Sequence, residues 1–432
     1  MRFDHKTSRA VPNSAIELLG GELSPYISSL RRVVEIGGYG TPEASLVVPQ
    51  DEYMIAAVEA VVAKIYTKSL RYIFVIGIGG SSLGAKAIYD ALAQARDQAS
   101  HHHPRIIFVE TTDAVELSVA KAIITKAEHA NELVFLVISK SGTTTETLFN
   151  AEVLLATFAE RFGRNARRVV VMSETGSPLL TAASEQQMHI IPLPPTVGGR
   201  YSVFSPVGLL PLALVGFDIR AIRQAAAAEV AAALYPDIAL NRAALSALTQ
   251  YYFYNQGIRQ HDLFCFAPAL ESMGKWYRQL LGESIGKPRT GDGQPMGITP
   301  TVSIGSTDLH SVGQLYLGGP RDRLTTFVGV EGGADVMMPA ERAWPDVVPM
   351  VAGKSARTIL GAIEAGTKEA YDTANLPYLT VTFESVTPEA VAAFMQFKMC
   401  EVMMLGHLLQ VNPFDQPQVE QYKTVTKQIL GG

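Results

Sequence analysis

Apolar and polar positions follow two periods along the chain. Short apolar runs of strand length, "YIFVIGI" at 72–78, "RIIFVE" at 105–110, "ELVFLVIS" at 132–139, "RRVVVMS" at 167–173 and "MHIIPL" at 188–193, are separated by stretches with helical spacing. Such continuous runs mark strands buried on both faces, joined by helical crossovers. The pattern predicts a parallel sheet in an α/β unit. After a helical middle at 203–258 the alternation resumes with "HDLFCFA" at 261–267, "GITPTVS" at 297–303, "LTTFVGV" at 324–330 and "YLTVTFE" at 378–384, predicting a second α/β unit. A long helical pattern fills 385–410, and the segment after "NPFDQP" reads as one more helix ending at Gly431-Gly432. The first 15 residues read as a loose polar arm.

The expected organisation is an N-terminal arm and helix over 1–50, a first α/β domain over 51–205, a second over 206–400 and a C-terminal helical segment over 401–432. Neither an internal repeat nor a low-complexity tract interrupts it. With 432 residues, 47% of them hydrophobic, the chain can bury the cores of two or three domains. Its 36 basic and 41 acidic residues give a net charge of −5, which offers no broad positive field to nucleic acid or an anionic membrane. Any anion must be caught locally. The N-terminus has no apolar signal region, and the most apolar run, Val203 to Phe217, is interrupted by Ser205, Pro206 and Pro211, so no membrane span is expected. Cys265 and Cys400 both sit in apolar segments and read as small buried hydrophobes, which fits a reducing cytoplasm.

In an open α/β sheet, ligands bind beyond the carboxyl ends of the strands, so chemistry is sought in the turns that follow them. The turn "ISKSGTTTET" offers hydroxyls from Ser139, Ser141, Thr143, Thr144 and Thr145, with backbone N–H groups opening onto a helix N-terminus that favours negative charge. It is built like a phosphate cradle. The alternative is that these residues only cap the helix, with Glu146 closing a capping box.

A second turn, "VIGIGGSSLGAKA", has Gly77, Gly79 and Gly80 to let backbone approach a ligand. The dinucleotide pattern fails there because Ser82 occupies the third glycine position, and the P-loop pattern fails because Ala85 separates Gly84 from Lys86. The residues Gly80 to Gly84 do match G-x-S-x-G, a hydrolase nucleophile elbow with Asp308 and His310 as candidate partners. That reading leaves the 139–147 turn unexplained. Three histidines at 101–103 precede a strand and lack metal-ligand spacing, so no metal role follows.

Acid–base candidates lie further on. Glu271 and Glu283 occur in "ESMGKWYRQLLGESIGK", the second at a helix end beside a loop. His310, in "GSTDLHSVGQ", falls at an expected helix start, where burial and the positive dipole end would favour neutral imidazole. Arg200 follows a Gly pair in "TVGGRYSVFSP", a fit position for a guanidinium facing an anion. In "NPFDQPQVEQYK", Asp415 is a candidate helix N-cap with Pro417 opening the helix, leaving Gln416, Glu420 and Lys423 unassigned.

Taken in order, "IGIGGSSLG", "ISKSGTTTET", "VGGRYSVFSP", "GESIGK", "STDLHS" and "GHLLQVNPFDQPQVEQYK" resemble the glucose-6-phosphate isomerase family in its shorter bacterial form, from about residue 70 to the C-terminus. The resemblance implies two doubly wound domains of the sugar-isomerase (SIS) type with parallel sheets. It also implies reversible conversion of glucose 6-phosphate to fructose 6-phosphate without metal or organic cofactor.

By motif position, Ser139, Lys140, Ser141 and Thr144 would hold the phosphate with Gly80 and Ser81, and Thr143 is an added donor. Glu283 would be the base acting through a cis-enediol or enediolate, with Arg200 stabilising its charge. His310 and Lys423 would open the ring, and Gln416 and Glu146 would orient the sugar. The family's histidine comes from the neighbouring subunit, which implies a homodimer with a shared active site. Glu271 competes for the role of base, since "LESMGK" repeats "GESIGK", though the order of motifs favours Glu283. One departure is Gln418, where the family usually has Gly, which bears on the start of the helix carrying Lys423. The alternatives are a non-catalytic phosphosugar sensor and an isomerase that also accepts mannose 6-phosphate.

Overall fold

The computed structural model describes residues 1–99 and 104–431; the histidines at 101–103 lie outside the described residues. These residues contain strands β1 (Arg2–Asp4), β2 (Tyr72–Ile76), β3 (Arg105–Val109), β4 (Leu133–Ile138), β5 (Val169–Glu174), β6 (His189–Leu193), β7 (Gln260–Cys265), β8 (Lys287–Pro288), β9 (Pro295–Met296), β10 (Thr299–Ile304), β11 (Arg323–Val330) and β12 (Tyr378–Phe383). Each apolar run of strand length picked out in the sequence forms a strand. The chain forms two compact units, one of residues 29–231 and one combining 1–28 with 232–432.

Unit 29–231 is built on one sheet in the order β3-β2-β4-β5-β6, with every neighbouring pair parallel. In chain order this is 2-1-3-4-5, a doubly wound arrangement whose crevice opens at the carboxyl ends of the first and third strands, where the winding reverses. Those strands are β2 and β4. All six residues of β4 are buried, as a strand covered on both faces requires. Phe135 stacks on Phe74 at 5.0 Å and meets Phe158 of the helix Thr145–Phe162 edge-on at 5.1 Å, so the helix that follows β4 is pinned to the sheet behind the turn joining them.

The second unit has a sheet in the order β1-β12-β11-β7-β10, parallel except for β1, which pairs antiparallel with β12. The helix Glu271–Ile285 packs on β10 and on the helix Pro388–Leu409 through Met273, Trp276, Tyr277, Leu280 and Leu281. Gly274 makes the close approach possible, since a Cβ there would lie 2.5 Å from Val302.

Two expectations change. The first 15 residues are not a loose arm: Arg2–Asp4 is an edge strand, Phe3 packs edge-on against Phe397 at 5.6 Å, and Arg2 pairs with Glu331. A single apolar residue in a polar run carries no periodic signal. The compact units change at 28/29 and 231/232 rather than at 50, 205 and 400. The helix Pro206–Leu214, buried along almost all its length, packs on the helices Glu52–Ile65 and Leu83–Ala99 of the first unit. The helix Pro388–Leu409 runs unbroken through 400, with Val391 to Leu409 nearly all buried.

Both thiols are free and buried, and burial pushes the Cys400 thiol up to about 12 and the Cys265 thiol up as well. Among the described residues no helix is long and apolar enough to cross a membrane.

Candidate active site

At the switch point of unit 29–231, β4 ends at Ile138 and the chain turns through Ser139 to Thr144. The Ser139 N–H continues the sheet by donating to Met172 O, while Gly142, at φ +68°, turns back so that its N–H donates to Ser139 O at 3.1 Å. Beneath the turn is a chain of hydroxyls. Ser173 donates to Ser139 O at 2.6 Å and shares a 2.6 Å bond with Ser177, whose oxygen accepts from Leu180 N–H at the start of the next helix. Ser173 and Ser177 were not among the site residues expected from the sequence. The signal was "MSETGSP", which ends β5, the strand beside β4, and leads into the next helix.

The capping alternative for this turn does not hold. Thr144 is the N-cap of the helix Thr145–Phe162, yet its side chain makes no cap bond; it pairs with the buried Ser139 hydroxyl at 2.8 Å. Glu146 is the second helical residue, one short of the position a capping box uses. Ser141 and Thr143 are exposed and bonded to each other at 3.2 Å. The half-buried Lys140 ammonium reaches across to Pro195 O at 2.5 Å. Burial lowers its pKa; the nearby Glu174 opposes that shift and Arg200 adds to it.

The turn after β2 lies against the same place. A Cβ on Gly77 would meet Ser81 at 2.8 Å and Ile138 O at 2.9 Å. Gly80 touches the Gly199-Arg200 turn so closely that a Cβ would fall 2.1 Å from Gly199 C. The Ser202 hydroxyl ties both turns, at 2.7 Å from Gly199 O and 3.3 Å from Gly80 O. Arg200 is 2% exposed and lies close enough to Lys140 to depress it. Gly80, Ser81, Ser139, Lys140, Thr144 and Arg200 thus gather at the carboxyl ends of β2 and β4. Two cations, a helix N-terminus and several hydroxyls at one point suit an oxyanion of more than one charge.

Ser82 does not join them as a nucleophile. It is fully buried and donates to Gly79 O at 3.1 Å and to the Glu110 carboxylate at 2.5 Å, so its hydroxyl is engaged in the interior and has no access to substrate.

In the second unit, Glu283 is half-buried near the C-terminal end of the helix Glu271–Ile285, and Gln279 donates to its carboxylate at 3.2 Å. Glu271 begins that helix, about 18 Å away along the axis. It is exposed and paired with Lys275 at 2.7 Å. His310 departs from expectation: it is exposed and ends the turn Thr307–His310 instead of opening a buried helix. Asp308 organises that turn, accepting from Ile304 N–H at 2.7 Å and from Ser311 at 2.8 Å.

Asp415 is not a helix cap either. It pairs with the buried Lys287 at 2.8 Å, and Gln416 precedes the short turn Pro417–Val419 that leads into the helix Glu420–Gly431. Lys423 sits in the first turn of that helix, partly exposed, with Glu420 at 2.7 Å. Gln418 is not among the residues with positive φ, so its position does not demand glycine. Among the described residues no group of three or more His, Cys, Asp or Glu is arranged to hold a metal ion.

A family model described as phosphoglucose isomerase matches residues 29–328. The glucose-6-phosphate isomerase of Carboxydothermus hydrogenoformans is 32% identical over 393 residues, covering 89% of this chain and 83% of that protein. Among solved structures, a hypothetical protein from Thermus thermophilus superposes with a TM-score of 0.85 at 28% identity over 100% of both chains. A glucose-6-phosphate isomerase from Chlamydia trachomatis superposes with a TM-score of 0.83 at 21% identity, over 98% of this chain and 87% of that one, a likeness of fold.

Proposed function

Because the chain belongs to the phosphoglucose isomerase family, its reaction is the interconversion of glucose 6-phosphate and fructose 6-phosphate in glycolysis and gluconeogenesis, and we propose that Glu283 carries the proton between C2 and C1. The phosphate is held by the 139–144 turn with Gly80 and Ser81. The observation that carries this reading is the Ser139–Thr144 hydroxyl pair, because it takes the N-cap side chain away from the helix, which supports a helix start used for ligand binding. Fixing the sugar by an unreactive dianion lets binding energy align C1 and C2 with the base, which is how a carboxylate of ordinary basicity removes a weakly acidic proton.

In this reading Glu283 takes the C2 proton, an enediolate forms, and the same carboxylate returns the proton to C1. Arg200 offsets the enediolate charge. Lys423 and His310 move protons between the ring oxygen and the C1 hydroxyl, and Gln416 and Glu146 orient the sugar. The exposure of His310 on its own chain supports a homodimer in which each histidine serves the partner's site. Assignment of both units to the sugar-isomerase type and a cytoplasmic location belong to the same proposal, as does the absence of nucleic-acid and membrane partners, consistent with the net charge of −5.

The test is solvent-tritium incorporation at C1 and C2 during turnover. Wild type and Glu271→Gln should exchange alike, and Glu283→Gln should fall by about 10³-fold or more. Normal exchange in Glu283→Gln would remove the proposed base.

A further inference from the structure

Lys287 is the last residue of the "GESIGK" motif, four positions after Glu283, and no step above uses it. Its side chain is 5% exposed and its ammonium donates to Asn412 O, to Asp415 O at 2.7 Å and to the Asp415 carboxylate at 2.8 Å. These three bonds all reach one short loop. The loop answers with its own bonds. Asn412 donates to the other Asp415 oxygen at 2.8 Å and accepts from Phe414 N–H at 3.0 Å. Beside it, Thr290 N–H donates to Gln410 O at 2.8 Å, and Gly406 leaves room for Pro413 to lie on the helix Pro388–Leu409, where a Cβ would meet the proline at 3.0 Å.

Segment 410–415 is therefore tied to segment 287–290, and Gln416 follows the last tied residue directly. The helix carrying Lys423 begins four residues beyond it. That helix has no buried residue of its own. Its placement depends on the loop that leads into it more than on packing.

We propose that Lys287 is a positioning residue that fixes the segment carrying the sugar-orienting Gln416 and the ring-opening Lys423 against the end of the helix that carries Glu283. The inference rests on the ring-opening role given to Lys423 above. A buried ammonium is suited to the task because its bonds are short, charge-assisted and costly to leave unmade. With the latch broken, the carboxylate and the phosphate cradle stay in place and the ring-opening groups lose register. Ring opening should then fail while other properties persist.

Ring opening can be read apart from isomerisation in a Glu283→Gln background, as the rate at which the α and β anomers of glucose 6-phosphate exchange, followed by NMR. Adding Lys287→Met should slow enzyme-catalysed anomer exchange by about 10²-fold, the scale of loss for a catalytic group misplaced by about 1 Å. Asp415→Asn, at a half-exposed site that removes one ionic bond, should slow it by about 10-fold. Competitive inhibition by inorganic phosphate, measured in otherwise wild-type Lys287→Met and Asp415→Asn, should stay within about 2-fold of wild type, an outcome that general loss of structure would not give.

Anomer exchange at the parental rate in folded Lys287→Met overturns the proposal. If that variant does not fold, unchanged exchange in Asp415→Asn overturns it. Lys423→Met in the same background separates the premises. If it exchanges anomers normally, the ring-opening role of Lys423 is wrong and the latch falls with it; if it loses exchange and the latch variants keep it, only the latch is wrong.

Discussion

Replacing Gly80 by Ala tests whether the close approach of two turns holds the proposed anion site together. A Cβ on Gly80 would stand 2.1 Å from Gly199 C, 2.5 Å from Gly199 O and 2.6 Å from Arg200 N. All three are backbone atoms, so no side chain can rotate away. Gly80 itself does not have a positive φ, so the cost comes from contact and not from backbone conformation. Ordinary contact begins at 3.4 Å, so the turns must part by about 1.3 Å. Overpacking of this kind costs about 1–3 kcal/mol of stability. The same displacement carries Arg200 with it, and a shift of about 1 Å in a catalytic group lowers turnover by about 10²-fold.

The assay is kcat/KM for fructose 6-phosphate, coupled to oxidation of the glucose 6-phosphate formed, together with the melting temperature. Gly80→Ala should lose about 10²-fold in kcat/KM and melt lower by several degrees. Gly21→Ala is the control: it lies within the helix Asn13–Ile36 with nothing within 4 Å of its added Cβ, and should gain about 0.5–1 kcal/mol with activity unchanged. Wild-type kcat/KM in Gly80→Ala would refute the reasoning, because the turns would then be free to separate without moving Arg200.

In the proposed site, Lys140 makes the grip on phosphate pH-dependent. Its pKa is lowered by burial and by Arg200, so inhibition by inorganic phosphate should weaken as pH rises through a value below the ordinary lysine range of about 10.4. Lys140→Met should weaken it by about 10- to 100-fold and abolish that alkaline break. For stability the sign is opposite: between the folded and unfolded pKa values the unfolded chain holds more protons, so this lysine's contribution to stability rises with pH across that window, measurable by urea unfolding of wild type against Lys140→Met.

In the second unit's core, Lys398 pairs with Glu401 at 2.6 Å, both fully buried, and Glu401 also accepts from Tyr277 at 2.9 Å and from Ser246. Lys398→Met leaves that carboxylate without its cation and should cost about 3–5 kcal/mol in urea unfolding; a loss under about 1 kcal/mol would mean the pair is replaceable.

What the sequence determined by itself was local. Short β-branched apolar runs such as "LVFLVI" bounded by turn residues marked strands covered on both faces, and the hydroxyl- and glycine-rich turns after β2 and β4 marked where to expect an anion. Glu283 at a helix end and Lys140 in the turn were legible because their neighbours in sequence are their neighbours in space. Tertiary structure alone decided what depends on residues far apart in the chain. It paired β2 with β4, which brings their turns together, and set Gly80 against Gly199. It made Phe3 part of an edge strand, left His310 at the surface and joined Lys287 to Asp415 across 128 positions. Periodicity reports the face on which a residue lies. The partner it meets there is selected by strand order and packing, which no local pattern encodes.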